Sequence, residues 1–438
     1  MEGSPRRFGV VLAVLTSFST LIMPAAILSE TSTAANAATT VAETIKAPGT
    51  LIKARVVSAP GINGTAYEVK YWSESVPADE PVKVSGLVIV PNGTPPTGGW
   101  PVVSWAHPTD GMTSNCAPSL TANTDVPYAN SLLAQGWEVV ATDYLNENAF
   151  LPDSTSVLPY LVGAEAARNT IDIVRAARSM GSLADASSQY GVWGWSEGAD
   201  TALWVDHISS QYAPELTLVG SVASAFGSPL ETLYQNLGSN SEWWPLDLMI
   251  IEGFKKTYGG VVAPWGEVLT SLGKTLAKSL NVEPQCITGV ISTLSGQHSA
   301  SQVFASGPLP SAWQSLLAEN DPESFTGAGS APILLVQGDA DTLVDQSLSA
   351  NLAEQLCSLN PPQPLERWLY SGLTHFTVVG NEGAMNANGN GDGSWGSSST
   401  IEDVLTWMGD RFEGGSWPDT YLPTGGGVTP VTQTNACG

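Results

Sequence analysis

Gly194-Trp195-Ser196-Glu197-Gly198 is the stretch of this chain that most constrains its fold. The apolar residues 190–193 before it are typical of a short buried strand, and residues 199–205 after it are typical of a helix. Glycines on either side of the serine let the backbone turn sharply from the strand into the helix, which exposes the hydroxyl group. The stretch therefore predicts a nucleophile elbow with Ser196 at its tip.

An acid and a histidine follow Ser196 in the order that a catalytic triad of the α/β-hydrolase type requires. The apolar run 332–337 predicts a strand, and the turn after it carries Asp339 and Asp341. Residues 365–370 predict a further strand, and His375 lies in the loop beyond it. In such a triad the histidine takes the serine proton, and the acid orients the imidazole and stabilises its cation.

The base can be assigned by elimination, because the chain has only 4 histidines. His207 follows Ser196 on the same predicted helix, about 16 Å away along the axis at 1.5 Å per residue. His298 lies in a region that we predict to be a separate helical cap. His107 lies in the loop after the third predicted strand, which we expect to supply an oxyanion donor and not the base. His375 therefore remains as the candidate base, whereas periodicity does not separate Asp339 from Asp341.

The chain resembles the secreted lipases of the lipase A type, within the α/β-hydrolase superfamily. Three stretches carry the resemblance: residues 104–111 with the Cys-Ala-Pro-Ser run at 116–119, the elbow at 194–198, and the turn at 338–344. The similarity extends from about residue 45 to the C terminus. It implies that Asp341 rather than Asp339 is the catalytic acid.

The 4 cysteines allow three pairings into two disulfides. The family resemblance favours Cys116 with Cys286 and Cys357 with Cys437. No cysteine or histidine spacing resembles a zinc site, so we expect no metal.

The oxyanion hole is only partly predicted. One donor should be the backbone N–H of Glu197, and the other should come from the loop after the third strand. Many relatives have His-Gly in that loop, but here His107 precedes Pro108, which has no N–H to donate. The second donor is then Thr109 or, as second choice, Asp110. The Glu197 carboxylate would oppose the oxyanion unless its side chain points away or is paired.

The N-terminal residues 1–37 have the features of a signal peptide. Arg6 and Arg7 precede an apolar stretch at 8–28, and residues 35–37 form a small-x-small cleavage site, which predicts cleavage after Ala37. The protein should therefore be secreted, with no transmembrane anchor after cleavage.

The remaining chain predicts an α/β fold with a mostly parallel central sheet. Strand and helix patterns alternate until residues 218–223, and then the alternation stops for about a hundred residues, far longer than ordinary βα connections. We therefore predict the α/β-hydrolase fold, with residues 38–225 as the first part of the core, 226–326 as an inserted helical cap or lid, and 327–438 as the second part with the C-terminal tail.

Apolar side chains near the predicted cap are candidates for substrate contact. Trp243, Trp244, Leu246 and Met249 form a dense patch, and Trp195 adjoins the nucleophile. The alternative, that these side chains pack the interior of the cap, stays open.

The net charge of −25 comes from 41 acidic and 16 basic residues. Such a surface excludes nucleic acid as a partner and favours neutral small-molecule or lipid esters over anionic ones. We therefore expect a secreted, monomeric serine carboxylic ester hydrolase, a lipase or esterase without a cofactor. The alternatives are an acyltransferase with the same triad and a catalytically inactive hydrolase fold that only binds.

Overall fold

The computed structural model describes residues 47–121, 126–145, 158–280, 286–380, 399–415 and 431–433. The predicted signal peptide and its cleavage site after Ala37 lie outside these residues. No helix in the described ranges is long and apolar enough to cross a membrane.

One sheet of ten strands organises the described residues. The strands are β1 (Leu51–Val56), β2 (Gly64–Glu74), β3 (Pro81–Pro91), β4 (Trp100–Ala106), β5 (Glu138–Thr142), β6 (Ala186–Trp195), β7 (Thr217–Ser224), β8 (Ile333–Gly338), β9 (Leu365–Tyr370) and β10 (Val431–Gln433). Their order across the sheet is β1-β2-β3-β5-β4-β6-β7-β8-β9-β10. All pairs from β5 to β9 are parallel, and the pairs at both edges are antiparallel.

Helices follow most of the parallel strands and cover both faces of the sheet. They are α1 (Ala129–Ala134), α2 (Gly163–Ser179), α3 (Glu197–Tyr212), α4 (Leu230–Ser239), α5 (Pro245–Val262), α6 (Trp265–Val268), α7 (Ser271–Ser279), α8 (Ile287–Gln297), α9 (Ala300–Val303), α10 (Ser311–Glu319), α11 (Gln346–Cys357) and α12 (Ser399–Phe412).

The buried strands supply apolar side chains to both faces, as expected for a parallel sheet between two helix layers. On β4, Val102 packs in the cluster with α2 and α3, whereas the next residue, Val103, packs in the cluster with α1 and α12. Successive side chains on a strand point to opposite faces, so one run of apolar residues serves both cores. The predicted fold class is confirmed.

Seven helices, α4 to α10, lie between β7 and β8 and form the inserted cap. Their span, 230–319, falls within the predicted cap at 226–326, although the exact domain boundaries stay a prediction. The cap residues share a hydrophobic cluster with Ala223 near the carboxyl end of β7, with Ile333 and Leu335 of β8, and with α11. The insertion therefore begins at the sheet edge where a site of this fold is expected.

A disulfide joins Cys116, in the loop after β4, to Cys286 at the start of α8 in the cap. This is one of the two pairings that the resemblance implied. Cys357 is also disulfide-bonded. Its predicted partner, Cys437, lies outside the described residues.

Candidate active site

Ser196 occupies a strained turn between β6 and α3. Its backbone has φ 56° and ψ −118°, in the half of the map that non-glycine residues rarely enter. A Cβ on Gly194 would lie 1.8 Å from the carbonyl oxygen of Gly198, and one on Gly198 would lie 1.9 Å from that of Ala106. The two glycines of the motif are therefore required by close backbone contacts that only a residue without a side chain permits.

Ser196 and His375 lie within hydrogen-bonding distance, and so do His375 and Asp341. The Ser196 Oγ is 3.1 Å from His375 Nε2, and His375 Nδ1 is 2.9 Å from Asp341 Oδ2. Because an ionised carboxylate only accepts, Nδ1 carries the hydrogen and Nε2 presents its lone pair to the serine hydroxyl. This is the arrangement that a general base needs in order to take a proton from Ser196.

The turn after β8 aims Asp341, and not Asp339, at the histidine. The Asp341 Oδ1 accepts the backbone N–H groups of Leu343 and Val344 at 2.9 Å and 2.8 Å, and its Oδ2 accepts the side-chain amide of Gln337 at 3.0 Å. Asp339 is exposed, and its carboxylate accepts the backbone N–H of Gly372. Sequence reasoning did not identify Gln337, because nothing in a buried strand marks which polar residue will reach a neighbouring turn.

Trp195, predicted to contact substrate, is a buried neighbour of the histidine. Its indole N–H donates to the backbone carbonyl of His375 at 3.0 Å, and the two rings are 5.7 Å apart. The tryptophan thus supports the loop that carries His375. A substrate contact through the same ring stays a prediction.

Of the cap residues predicted to contact substrate, Trp243 lies beside the histidine loop. Its ring is half-buried and 6.1 Å from that of Phe376, which packs edge-to-face against His375 at 5.2 Å. The other three, Trp244, Leu246 and Met249, are buried in the cap interior. In this structure they pack in the core, and their contact with a substrate stays a prediction.

The loop after β4 approaches the elbow and contains both candidates for the second oxyanion donor. His107 is fully buried, and its Nδ1 donates to the Pro108 carbonyl at 2.7 Å and lies 3.0 Å from the Asp110 carboxylate. The Asp110 carbonyl accepts the backbone N–H of Ile287 from the cap at 2.7 Å. The choice between the Thr109 and Asp110 N–H groups stays open, and so does the expected donation from the Glu197 N–H.

Tyr144 supports the same loop and was not identified from the sequence. Its ring packs against the His107 imidazole at 4.1 Å, and its hydroxyl donates to the His107 carbonyl at 3.2 Å. Burial alone would lower the pKa of His107, but the Asp110 carboxylate beside it, together with Glu197, raises that pKa above its ordinary value. The His107 ring is thus a buried support for the loop.

Glu197 is buried beside this loop. Burial raises the pKa of its carboxyl group to about 8, with a further upward contribution from Asp110 and a downward one from His107. The Thr109 side chain lies close to the Glu197 carboxyl, and its hydroxyl is 2.9 Å from that of Tyr160. The side chain therefore points away from solvent and into the loop after β4.

Comparisons with known proteins agree with this fold. The sequence model of the family described as secretory lipase matches residues 113–363, more than half of the chain. A probable inactive lipase of Mycobacterium tuberculosis is 24% identical over an alignment of 412 residues that covers 86% of this chain and 83% of the relative.

Two solved structures are similar at low sequence identity. Candida antarctica lipase A in its closed state has a TM-score of 0.70 and 18% identity, over 86% of this chain and 85% of that one. The rice cell wall degrading esterase LipA of Xanthomonas oryzae has a TM-score of 0.63 and 21% identity, over 84% of this chain and 97% of that one. At these identities the likeness establishes the fold alone.

Proposed function

The chain belongs to the secretory lipase family, and we propose that it is a secreted serine hydrolase that cleaves neutral carboxylic esters through Ser196, His375 and Asp341. The single observation that carries the proposal is the pair of hydrogen bonds that links these three side chains, at 3.1 Å and 2.9 Å. Three residues from three separate loops meet in the order and roles of a hydrolase triad, which a purely structural turn does not require.

In the proposed reaction, the Ser196 Oγ attacks the acyl carbonyl while its proton passes to His375 Nε2. The carbonyl oxygen becomes an oxyanion beside the backbone N–H of Glu197 and the loop after β4. The intermediate then collapses, and the alcohol leaves with the proton from His375. Water, activated by the same nitrogen, hydrolyses the acyl-enzyme and restores the serine.

Neutral esters are the proposed substrates because the chain as a whole is acidic and the histidine loop has an apolar neighbour. The net charge of −25 disfavours anionic ligands, and Trp243 with Phe376 gives the histidine loop an apolar wall. Export is supported by the family and by the disulfide between Cys116 and Cys286, since disulfides persist in oxidising compartments.

The test is labelling of the purified mature chain with a fluorescent alkyl phosphonate, together with hydrolysis of p-nitrophenyl esters. We expect a single labelled site at Ser196 and a loss of ester hydrolysis of at least about 10³-fold in Ser196→Ala. Ser347→Ala is the control, because this serine lies on the exposed first turn of α11. A folded Ser196→Ala protein that retains wild-type turnover would falsify the proposal.

A second candidate, an inactive hydrolase fold, is favoured by one observation: the Mycobacterium tuberculosis relative is named a probable inactive lipase. The same experiment separates the two. An inactive protein would neither bind the phosphonate covalently nor release p-nitrophenol.

The same assay tests the acyltransferase alternative. If an added alcohol speeds the release of p-nitrophenol and the product is the transesterified ester, the enzyme is an acyltransferase.

A further inference from the structure

Glu197 follows the nucleophile directly, yet its carboxyl group is buried and points into the loop after β4. We propose that Glu197 is a positioning residue: as a protonated, neutral carboxylic acid it connects the elbow to residues 107–110 and keeps negative charge away from the oxyanion. The proposal deepens the function proposed above and rests on it.

The geometry places this carboxyl between the two backbone segments from which oxyanion donors are expected. Glu197 is the first residue of α3, and its own N–H follows Ser196 in the chain. Its side chain, in a residue only 4% exposed, lies close to Thr109, whose N–H is the first choice for the second donor. Thr109 is in turn held by the Tyr160 hydroxyl at 2.9 Å. The start of α3 packs directly against the loop after β4, since a Cβ on Gly198 would lie 1.9 Å from the Ala106 carbonyl oxygen. The carboxyl therefore lies where the elbow meets that loop.

The Oε2 atom of Glu197 is buried and has no hydrogen-bond partner among the described residues. An ionised oxygen in that position would lose its hydration without a compensating donor, which is far more costly than burying a neutral carboxyl. The proton therefore belongs on the side chain in the resting protein. A neutral Glu197 does not oppose the negative charge of the oxyanion, although this acid directly follows the nucleophile.

The titratable groups that face Glu197 come from three directions. His107 and Asp110 lie in the loop after β4, Tyr160 lies in the segment before α2, and Asp200 lies on the next turn of α3. Asp110 opposes ionisation of Glu197, and His107 favours it. Burial is the largest influence, and it raises the pKa of Glu197 to about 8.

Loss of the proton would therefore change catalysis at alkaline pH. Above the pKa, Glu197 releases H⁺ to solvent and carries a negative charge next to the N–H expected to stabilise the oxyanion. A charge that opposes the transition state but not the neutral substrate lowers kcat and leaves KM nearly unchanged. The alkaline fall of kcat should follow a single ionisation, with a slope approaching about tenfold per pH unit.

The experiment measures kcat and KM for p-nitrophenyl butyrate from pH 6 to pH 10 with the wild-type chain, Glu197→Gln, Glu197→Ala and Asp200→Asn. Glutamine keeps the shape of the side chain but cannot ionise. We expect wild-type kcat to fall above about pH 8, and Glu197→Gln to retain at pH 9.5 most of its own value at pH 7. Glu197→Ala should lower kcat at least about tenfold at all pH values with KM within threefold.

Asp200→Asn is the matched control, because it removes another buried acid from the same helix without touching the loop after β4. It should keep the alkaline fall of kcat, with a midpoint that moves only slightly, because Asp200 faces Glu197 but does not carry the ionisation. Parallel alkaline falls in the wild-type chain and Glu197→Gln, or an alkaline fall that disappears in Asp200→Asn instead, would overturn the inference while leaving the proposed function intact. A wild-type chain that neither hydrolyses the ester nor reacts with phosphonate at Ser196 would overturn both.

Discussion

At the scale of single residues, two side chains of the same type have different roles because they point in different directions. Asp339 and Asp341 lie in one turn, but only Asp341 is buried and hydrogen bonded to His375. Two backbone N–H groups and Gln337 hold its carboxylate in place. These donors fix the orientation from which the carboxylate contacts the imidazole.

The two acids give a matched pair of substitutions. We expect Asp341→Asn to lower kcat by about 10⁴-fold, because an amide in that position no longer selects the productive tautomer of the histidine. Asp339→Asn should change kcat less than about threefold, since its carboxylate caps an exposed turn. Steady-state kinetics with p-nitrophenyl butyrate check both, and a larger loss in Asp339→Asn would assign the triad to the other acid.

At the scale of elements, the turn before α5 separates two neighbouring tryptophans. Both precede Pro245, the first residue of the helix, and the tight turn sends their side chains into different surroundings. Trp243 is half-buried near Phe376 and the histidine loop, whereas Trp244 is fully buried against Phe304 in the cap interior. One turn thus places one ring beside the histidine loop and the next in the core of the cap.

Alanine substitution should separate these two contributions. We expect Trp243→Ala to lower kcat/KM for octanoate relative to acetate by at least about tenfold, because burial of each methylene contributes about 0.8 kcal/mol. Trp244→Ala should instead lower the free energy of unfolding by about 3–5 kcal/mol through the cavity that it leaves. A chain-length series of p-nitrophenyl esters and urea unfolding test this, and an unchanged preference in Trp243→Ala would make that ring structural.

At the scale of the whole molecule, the fold buries many carboxyl groups. Burial raises the pKa of Asp143 to about 6, those of Asp172 and Asp206 to about 7, and that of Glu165 to about 8. The unfolded values are near about 4. Between about pH 4 and the folded pKa values, the folded chain binds more protons than the unfolded chain. The stabilisation that these carboxyl groups contribute is therefore fully present below about pH 4 and is lost as the pH rises through about 6–8.

The protein should therefore be most stable in mildly acidic solution. We expect the Tm to fall by at least about 5 °C from pH 5 to pH 8, and the charge of −25 adds repulsion in the same direction. In Glu165→Gln, which removes one such ionisation, the fall should be smaller. Scanning calorimetry across the pH range measures both, and a Tm that rises between pH 5 and pH 8 would contradict the assignment.

Much of this architecture follows from local sequence pattern. The strands predicted at 332–337 and 365–370 lie close to the observed β8 and β9, because strand and helix periods are properties of short segments. The strand before the elbow is longer than predicted: it begins at Ala186, whose polar neighbours give no apolar run. Sheet pairing, a contact between distant segments, extends it.

The sequence by itself determined the order of nucleophile, acid and histidine, the α/β class, and the need for glycine around Ser196. Only the tertiary structure decided that Asp341 meets His375, that Gln337 and Tyr144 support the site, that the Glu197 carboxyl turns inward, and that Trp243 rather than Trp244 faces the histidine loop. The reason is physical: a local pattern fixes backbone conformation and average burial, whereas the direction of one side chain depends on packing between segments far apart in the chain.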